Sequence, residues 1–205
     1  VNARPESAWL RGTNALLPAG VAVVWTRPVA AEFSARYSAL ERAYRYVLLN
    51  HPVRPALLAG KVGWVHAPLD PVAMRDAAAH LLGEHDFSAF RAAECQAKSP
   101  VREMRQIAIV RHGDFLLLEF RANAFLHHQI RNMVGALVWV GLGRRAPGWI
   151  KEVLESRDRS QAAATFSADG LYLSEVRYDP KWGLPASADR SGWAFEGAAG
   201  IMPTF

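Results

Sequence analysis

The clearest patterning in the chain runs from Phe115 to Gly143, FLLLEFRANAFLHHQIRNMVGALVWVGLG. Its opening residues are almost continuously apolar, as in a strand. After a short turn, Ile130, Met133, Val134, Leu137 and Val140 recur at helical spacing, which predicts an amphipathic helix whose stripe faces a core. Arg131 stands beside that stripe in the early turns. A guanidinium keeps its charge, so a partly buried one requires a carboxylate, a phosphate or carbonyls in front of it.

The rest of the chain divides by the same rules. Pro5 to Ala15 predicts a short helix with Trp9 packing, and the β-branched run VAVVWTRPV, Val21 to Val29, predicts a strand. Tyr44 to Leu49 predicts a strand with Tyr44, Tyr46 and Leu48 on one face and Arg45, Val47 and Leu49 on the other. A further short strand is predicted over Lys61 to His66. Asp70 then caps a helix with Pro71 at its first position, Met74, Ala77, Ala78 and Leu81 inward, and Gly83 as its stop. Gly83 to Arg105 reads as loop. The stretch RQIAIVRHGDFLLLEFR reads as a hairpin turning through His112, Gly113 and Asp114.

Pro147 opens another helix, with Trp149, Ile150, Val153 and Leu154 inward, and Gly141 and Gly143 end the one before it. LYLSEVRY, Leu171 to Tyr178, is the last strand. Strict alternation puts Tyr172, Val176 and Tyr178 on one face and Leu171, Leu173, Glu175 and Arg177 on the other, which leaves Leu171 apolar on a largely polar face. From Tyr44 onward the order is strand, helix, strand, strand, helix, strand, with one extra helix. This is the split βαβ arrangement of a ferredoxin-like α+β fold, an antiparallel sheet with helices on one face. The fold by itself does not decide activity.

With 205 residues and 51% hydrophobic content, the chain can close a sizeable core. A formal net charge of +5 raises nucleic acid as a partner beside the plainer reading of a basic, solvated surface. The single cysteine, Cys95, excludes an intrachain disulfide framework and fits a reducing, cytoplasmic compartment. No apolar run approaches the roughly 20 residues of a membrane span.

Chemistry-bearing residues are mostly cationic and aromatic. Arg36, Arg42 and Arg45 interleave with Tyr44 and Tyr46, a pattern that suits phosphates and unstacked bases, although tyrosines also simply favour strands. Arg91, Lys98, Arg102 and Arg105 form a second set suited to phosphates, and Arg121 a further cationic position. His127 and His128 beside Arg131 suit hydrogen bonding to an anionic backbone. They are not expected to hold a metal, because adjacent side chains diverge and no second ligand pair has the right spacing. Neither a phosphate-cradling loop nor a GxSxG elbow is present.

Four stretches, FSARYSALERAYRYVLLN, LLGEHDFSAFRA, RHGDFLLLEFRANAFLHHQIRNMVG and ADGLYL, together with TNALLP, resemble the bacterial tRNA pseudouridine synthase A family in order and spacing from about Thr13 to about Pro185. That resemblance implies the pseudouridine synthase fold and isomerisation of uridine to pseudouridine at positions 38 to 40 of the tRNA anticodon stem-loop. It also implies a homodimer that uses no cofactor and no metal. Residue by residue, it makes Tyr44 the base-stacking, substrate-binding tyrosine. Arg131 becomes the catalytic arginine that keeps an aspartate ionised, and Leu171 the apolar residue closing over the base.

The family's aspartate lies in a G-R-T-D-x-G-V-H stretch, and no such stretch occurs in these 205 residues. Glu119 and Glu175 are strand-borne acids without its flanking arginine and glycine. The expectation is therefore a chain that supplies uracil stacking and RNA binding and is inactive alone, with a catalytically dead RNA-binding module as the alternative. Residues 1–40 are expected to be the remainder of an N-terminal half plus connector, 41–185 the ferredoxin-like half, and 186–205 an irregular tail.

Overall fold

The computed structural model describes residues 4–185. The tail expected over 186–205 lies outside the described residues. In chain order the elements are α1 (Glu6–Leu16), β1 (Ala39–Asn50), β2 (Gly63–Val65), α2 (Pro71–Ala79), β3 (Gly83–Asp86), β4 (Val101–His112), β5 (Phe115–Ala122), α3 (Gln129–Gly141), α4 (Trp149–Ser156) and β6 (Leu171–Tyr178). The sheet runs β6–β1–β5–β4–β3, every pair antiparallel. β2 lies parallel to the last residues of β1, beyond the end of β6. The four strands β6, β1, β5 and β4 with α2 and α3 make the expected ferredoxin-like α+β arrangement.

Period-two alternation sets which side of the sheet is covered. Tyr46, Leu48, Leu116, Leu118 and Phe120 share one buried cluster with Met74 and Ala77 of α2, Met133, Val134 and Leu137 of α3, and Ile150 and Val153 of α4. Each fully buried side chain of this size contributes roughly 2 kcal/mol, so the helix-covered face anchors the domain. The opposite face carries only a small cluster around Val47, Val62 and Leu117. Asp70 caps α2 as expected, its carboxylate accepting from Val72 and Ala73 N–H at 2.8 and 3.2 Å.

Four local expectations are corrected. Val21 to Val29 forms no strand and pairs with no described strand, and Val21, Val24, Trp25 and Val29 are exposed. β-Branched composition favours a strand only where a ladder partner exists. α1 forms, yet buries none of its residues, and Trp9 is 58% exposed. α2 ends at Ala79, before Gly83, and Gly83 to Asp86 is no loop but a strand on Met104 to Val101 of β4. Trp149 packs against the core as expected, half-buried and stacked on Trp139 with ring centroids 5.7 Å apart.

The fourth correction concerns β6. Its register on β1 shifts at Ser174, so that Leu173 lies opposite Tyr44 whereas Glu175 lies opposite Ala43. One unpaired residue reverses the faces beyond it. Leu171 and Leu173 therefore share the side of Tyr46 and Tyr44, and Glu175 and Arg177 turn to the helix-free side.

Candidate active site

The site is built from the head of α3, the middle of β1 and the segment that leads into β6. Buried Gln129 accepts from Leu126 N–H at 2.8 Å, and buried Asn132 donates to the Phe90 carbonyl at 2.7 Å, which fixes the first turn of α3. Residues 164–166 cross that helix at Gly135, where a Cβ would overlap the Ala164 carbonyl oxygen. The crossing places Phe166 against Arg131. Arg131 Nε donates to the Phe166 carbonyl at 2.8 Å, and one terminal nitrogen lies 3.0 Å from His128 Nε2. The guanidinium is thus half-buried, held by a carbonyl and an imidazole, with no ion pair among the described residues.

Tyr46 connects this arginine to the sheet. Its hydroxyl donates to the Ser167 carbonyl at 3.0 Å and its ring meets Phe166 edge-on at 5.9 Å. Burial first, then the Asp169 carboxylate, pushes the phenol well above its ordinary range, against the opposing pull of Arg131. Leu171 pairs with Tyr46 across the β1–β6 ladder, and Gly170, at φ +92°, makes the turn into it where a Cβ would run into the Val47 carbonyl. Tyr44 is two residues along β1 on the same face, about 7 Å away. It is half-buried with Phe125 edge-on at 5.2 Å. Arg131 and Leu171 therefore gather around Tyr46, with Tyr44 as the next residue on that face.

His127 and His128 do not diverge. His128 adopts φ 59°, the left-handed region, and the two rings lie with centroids 3.9 Å apart. Desolvation, then His127 and Arg131, lowers the His128 pKa, with Glu94 pulling the other way. His127 is exposed and donates its backbone N–H to Cys95 Sγ at 3.4 Å. Among the described residues no group of three His, Cys, Asp or Glu stands where it would hold a metal ion, and no helix is long and apolar enough to cross a membrane.

The remaining cations separate into two groups. Arg36 and Lys98 are exposed, Arg36 lying over the Tyr37 ring at 5.5 Å. Arg91 instead turns inward to the carbonyls of Cys95 and Ala97 at 2.5 and 3.0 Å, and Arg102 to those of Ser99 and Val101 at 2.9 and 2.5 Å. Arg45 and Arg121 sit on the sheet's other face from Arg131. There Arg121 pairs with Glu175 at 2.7 Å, Glu119 at 2.9 Å and Glu41 at 3.6 Å, and Arg45 reaches Glu119 at 3.6 Å. Buried Glu41 also receives Arg105 at 3.0 Å and Arg177 at 3.4 Å. Glu119 and Glu175 are occupied in this network, which places neither against Arg131.

Phe166 and Asp169 are the site neighbours that sequence reasoning passed over. Tyr46 was read with Tyr44 as one of the aromatics interleaved with arginines, but its place between Arg131 and Leu171 was not foreseen. Phe166 acts through its backbone carbonyl, which leaves no mark in residue type.

The mostly antiparallel ferredoxin-like sheet with its covering helices fits the pseudouridine synthase fold. The family model described as tRNA pseudouridine synthase matches residues 77–179, a span holding Arg131 and Leu171. The tRNA pseudouridine synthase A of Thiobacillus denitrificans is 60% identical over 192 residues, covering 94% of this chain and 73% of that protein. Those of Aromatoleum aromaticum and Albidiferax ferrireducens are 59% and 58% identical over 182 residues, covering 89% of this chain and 69% and 70% of theirs. The chain belongs to the tRNA pseudouridine synthase family, whose members are isomerases.

Proposed function

We propose that this chain binds the anticodon stem-loop of tRNA and holds the uracil of positions 38 to 40 for conversion to pseudouridine. Tyr44 stacks on the base, Leu171 closes over it, and Arg131 receives the carboxylate that attacks. The observation that carries this reading is the fixing of Arg131, by the Phe166 carbonyl and His128, beside the tyrosine opposite Leu171. A charged group so held, with no acid against it among the described residues, is built to receive one. Once paired, the arginine keeps the acid ionised by favouring its charged form.

Phosphate contacts fall first to Arg36, Lys98 and His127, which are exposed. Arg45, Arg91, Arg102 and Arg121 already spend their donors within the chain, so they join only by exchanging those partners. No cofactor is required. Residues 41–185 act as the RNA-binding half, and 1–40 as the remainder of the other half plus connector. The working synthase is a cytoplasmic homodimer.

No RTDxGVH stretch is present in these 205 residues, so they do not isomerise uridine by themselves. Pseudouridine in anticodon arms should appear only when a segment carrying that aspartate is joined to them. Normal turnover by the 205 residues alone would refute the assignment. The absent motif is also what favours the second reading, an RNA-binding module without catalysis. An in-frame RTDxGVH run in the coding DNA upstream of Val1 would exclude it, and a stop codon there would support it.

A further inference from the structure

We propose that His128 is a positioning residue, which holds the Arg131 guanidinium through the lone pair of a neutral imidazole and releases it when the ring takes up a proton. This rests on the placement of Arg131 in the uracil site. The contact between Arg131 and His128 Nε2 measures 3.0 Å. Arginine has five N–H donors and no acceptor, so the two nitrogens bond only if Nε2 is unprotonated and the ring's one proton is on Nδ1. The Phe166 carbonyl takes Nε at 2.8 Å on another edge of the guanidinium. Two contacts on two different nitrogens fix the plane of the group, where one would leave it free to turn.

The contact is made from a strained backbone. His128 has φ 59°, a conformation that costs a non-glycine residue about 1 kcal/mol or more. It immediately precedes α3, and the contact spans the three residues to Arg131. The same bend lays the ring on that of His127.

The charges that face the imidazole are Arg131 on α3, the neighbouring His127, and Glu94 on the loop packed beneath them. The segment packed on Arg131 brings Asp169, whose field acts on Tyr46. Desolvation, then His127 and Arg131, outweighs Glu94, so the ring stays neutral further into acid than a free imidazole. Once protonated, Nε2 would turn a donor toward a donor and a cation toward a cation. The hydrogen bond to Arg131 would then be lost and only the Phe166 carbonyl would remain.

The test is side-chain NMR of the 205-residue chain with labelled arginine and histidine, without RNA. At pH 7.5 the His128 Nε2 signal should be that of an unprotonated nitrogen. Rotation of the Arg131 guanidinium should be at least about fivefold slower than that of exposed Arg36, the scale of one charge-assisted hydrogen bond. His128→Leu should remove most of that slowing. His128→Gln, equally strained in backbone but keeping an acceptor, should restore it.

On acidification the wild-type slowing should vanish as the His128 signal titrates, below 6.5, whereas His128→Gln should keep it. Unchanged rotation in His128→Leu, a Gln variant that behaves like Leu, or a release that does not follow the His128 titration would each overturn the proposal. Should His128→Leu fail to fold, His128→Asn takes its place, since asparagine suits a left-handed backbone and its amide is too short to reach Arg131. A chain that fails to bind tRNA would count against the proposed function and leave this result standing. A freely turning Arg131 in a chain that binds tRNA would sink only the positioning role.

Discussion

Arg131 and Phe166 hold each other twice: the arginine Nε donates to the Phe166 carbonyl at 2.8 Å, and Phe166 N–H donates to the Arg131 carbonyl at 3.2 Å. The backbone of the helix head and the charged tip of its side chain are thereby fixed by one residue 35 positions later. In a synthase carrying the aspartate segment, Arg131→Ala should lower kcat about a hundred- to a thousandfold, the scale of losing a preorganised donor. Affinity for tRNA should fall less than about threefold. Arg131→Lys should recover little, because an ammonium cannot bond the Phe166 carbonyl, His128 and a carboxylate with the same planar fork. A larger loss in affinity than in turnover would place Arg131 on the RNA backbone instead.

Tyr44 meets Phe125 edge-on and leaves part of its ring uncovered. Tyr44→Phe keeps the π face and should hold anticodon-arm binding within about twofold. Tyr44→Ala should weaken it by about 1–3 kcal/mol, the usual worth of one stacked base. Fluorescence titration with an anticodon-arm oligonucleotide carrying or lacking a uridine at the target position separates the two. Equal loss with both oligonucleotides would argue against stacking on that uracil.

Salt dependence distinguishes the exposed cations from the paired ones. Substituting Arg36 or Lys98 by Ala should reduce the slope of log K against log salt by about 1 each, since each phosphate contact releases about one counterion. Arg121→Ala should leave the slope nearly unchanged and instead destabilise the fold by about 2–4 kcal/mol. It strips a partner from Glu119, Glu175 and buried Glu41 at once. Urea unfolding measures the second effect. An Arg121→Ala chain as stable as wild type, with a shallower salt slope, would return Arg121 to the RNA.

Gly170 combines φ +92° with close approach to the Val47 carbonyl, and its own carbonyl accepts from Val47 N–H at 2.8 Å. Gly170→Ala should therefore cost about 3 kcal/mol, backbone strain and overlap acting together. It should also move Leu171 off its register with Tyr46. A urea midpoint within error of wild type would show that the turn relaxes.

The sequence by itself determined the covered side of the sheet, the helices α2 and α3, the β4–β5 hairpin and the cap at Asp70. Periodicity and capping are local: the residues that form each element are the residues that signal it. Arg131 was legible as a charge needing a partner, whereas the polar face expected around Leu171 does not exist, because Glu175 and Arg177 turn to the helix-free side.

Tertiary structure alone decided what local signals cannot carry. It left Val21 to Val29 without a ladder, and it paired Gly83 to Asp86 with β4. Through the shift at Ser174 it sent Glu175 away from Leu171 to join Glu41 and Arg121. It also supplied the holders of Arg131, one a backbone carbonyl and the other a histidine turned by a left-handed residue. Pairing, register and carbonyl direction depend on segments far apart in the chain, so residue type at any one position does not record them.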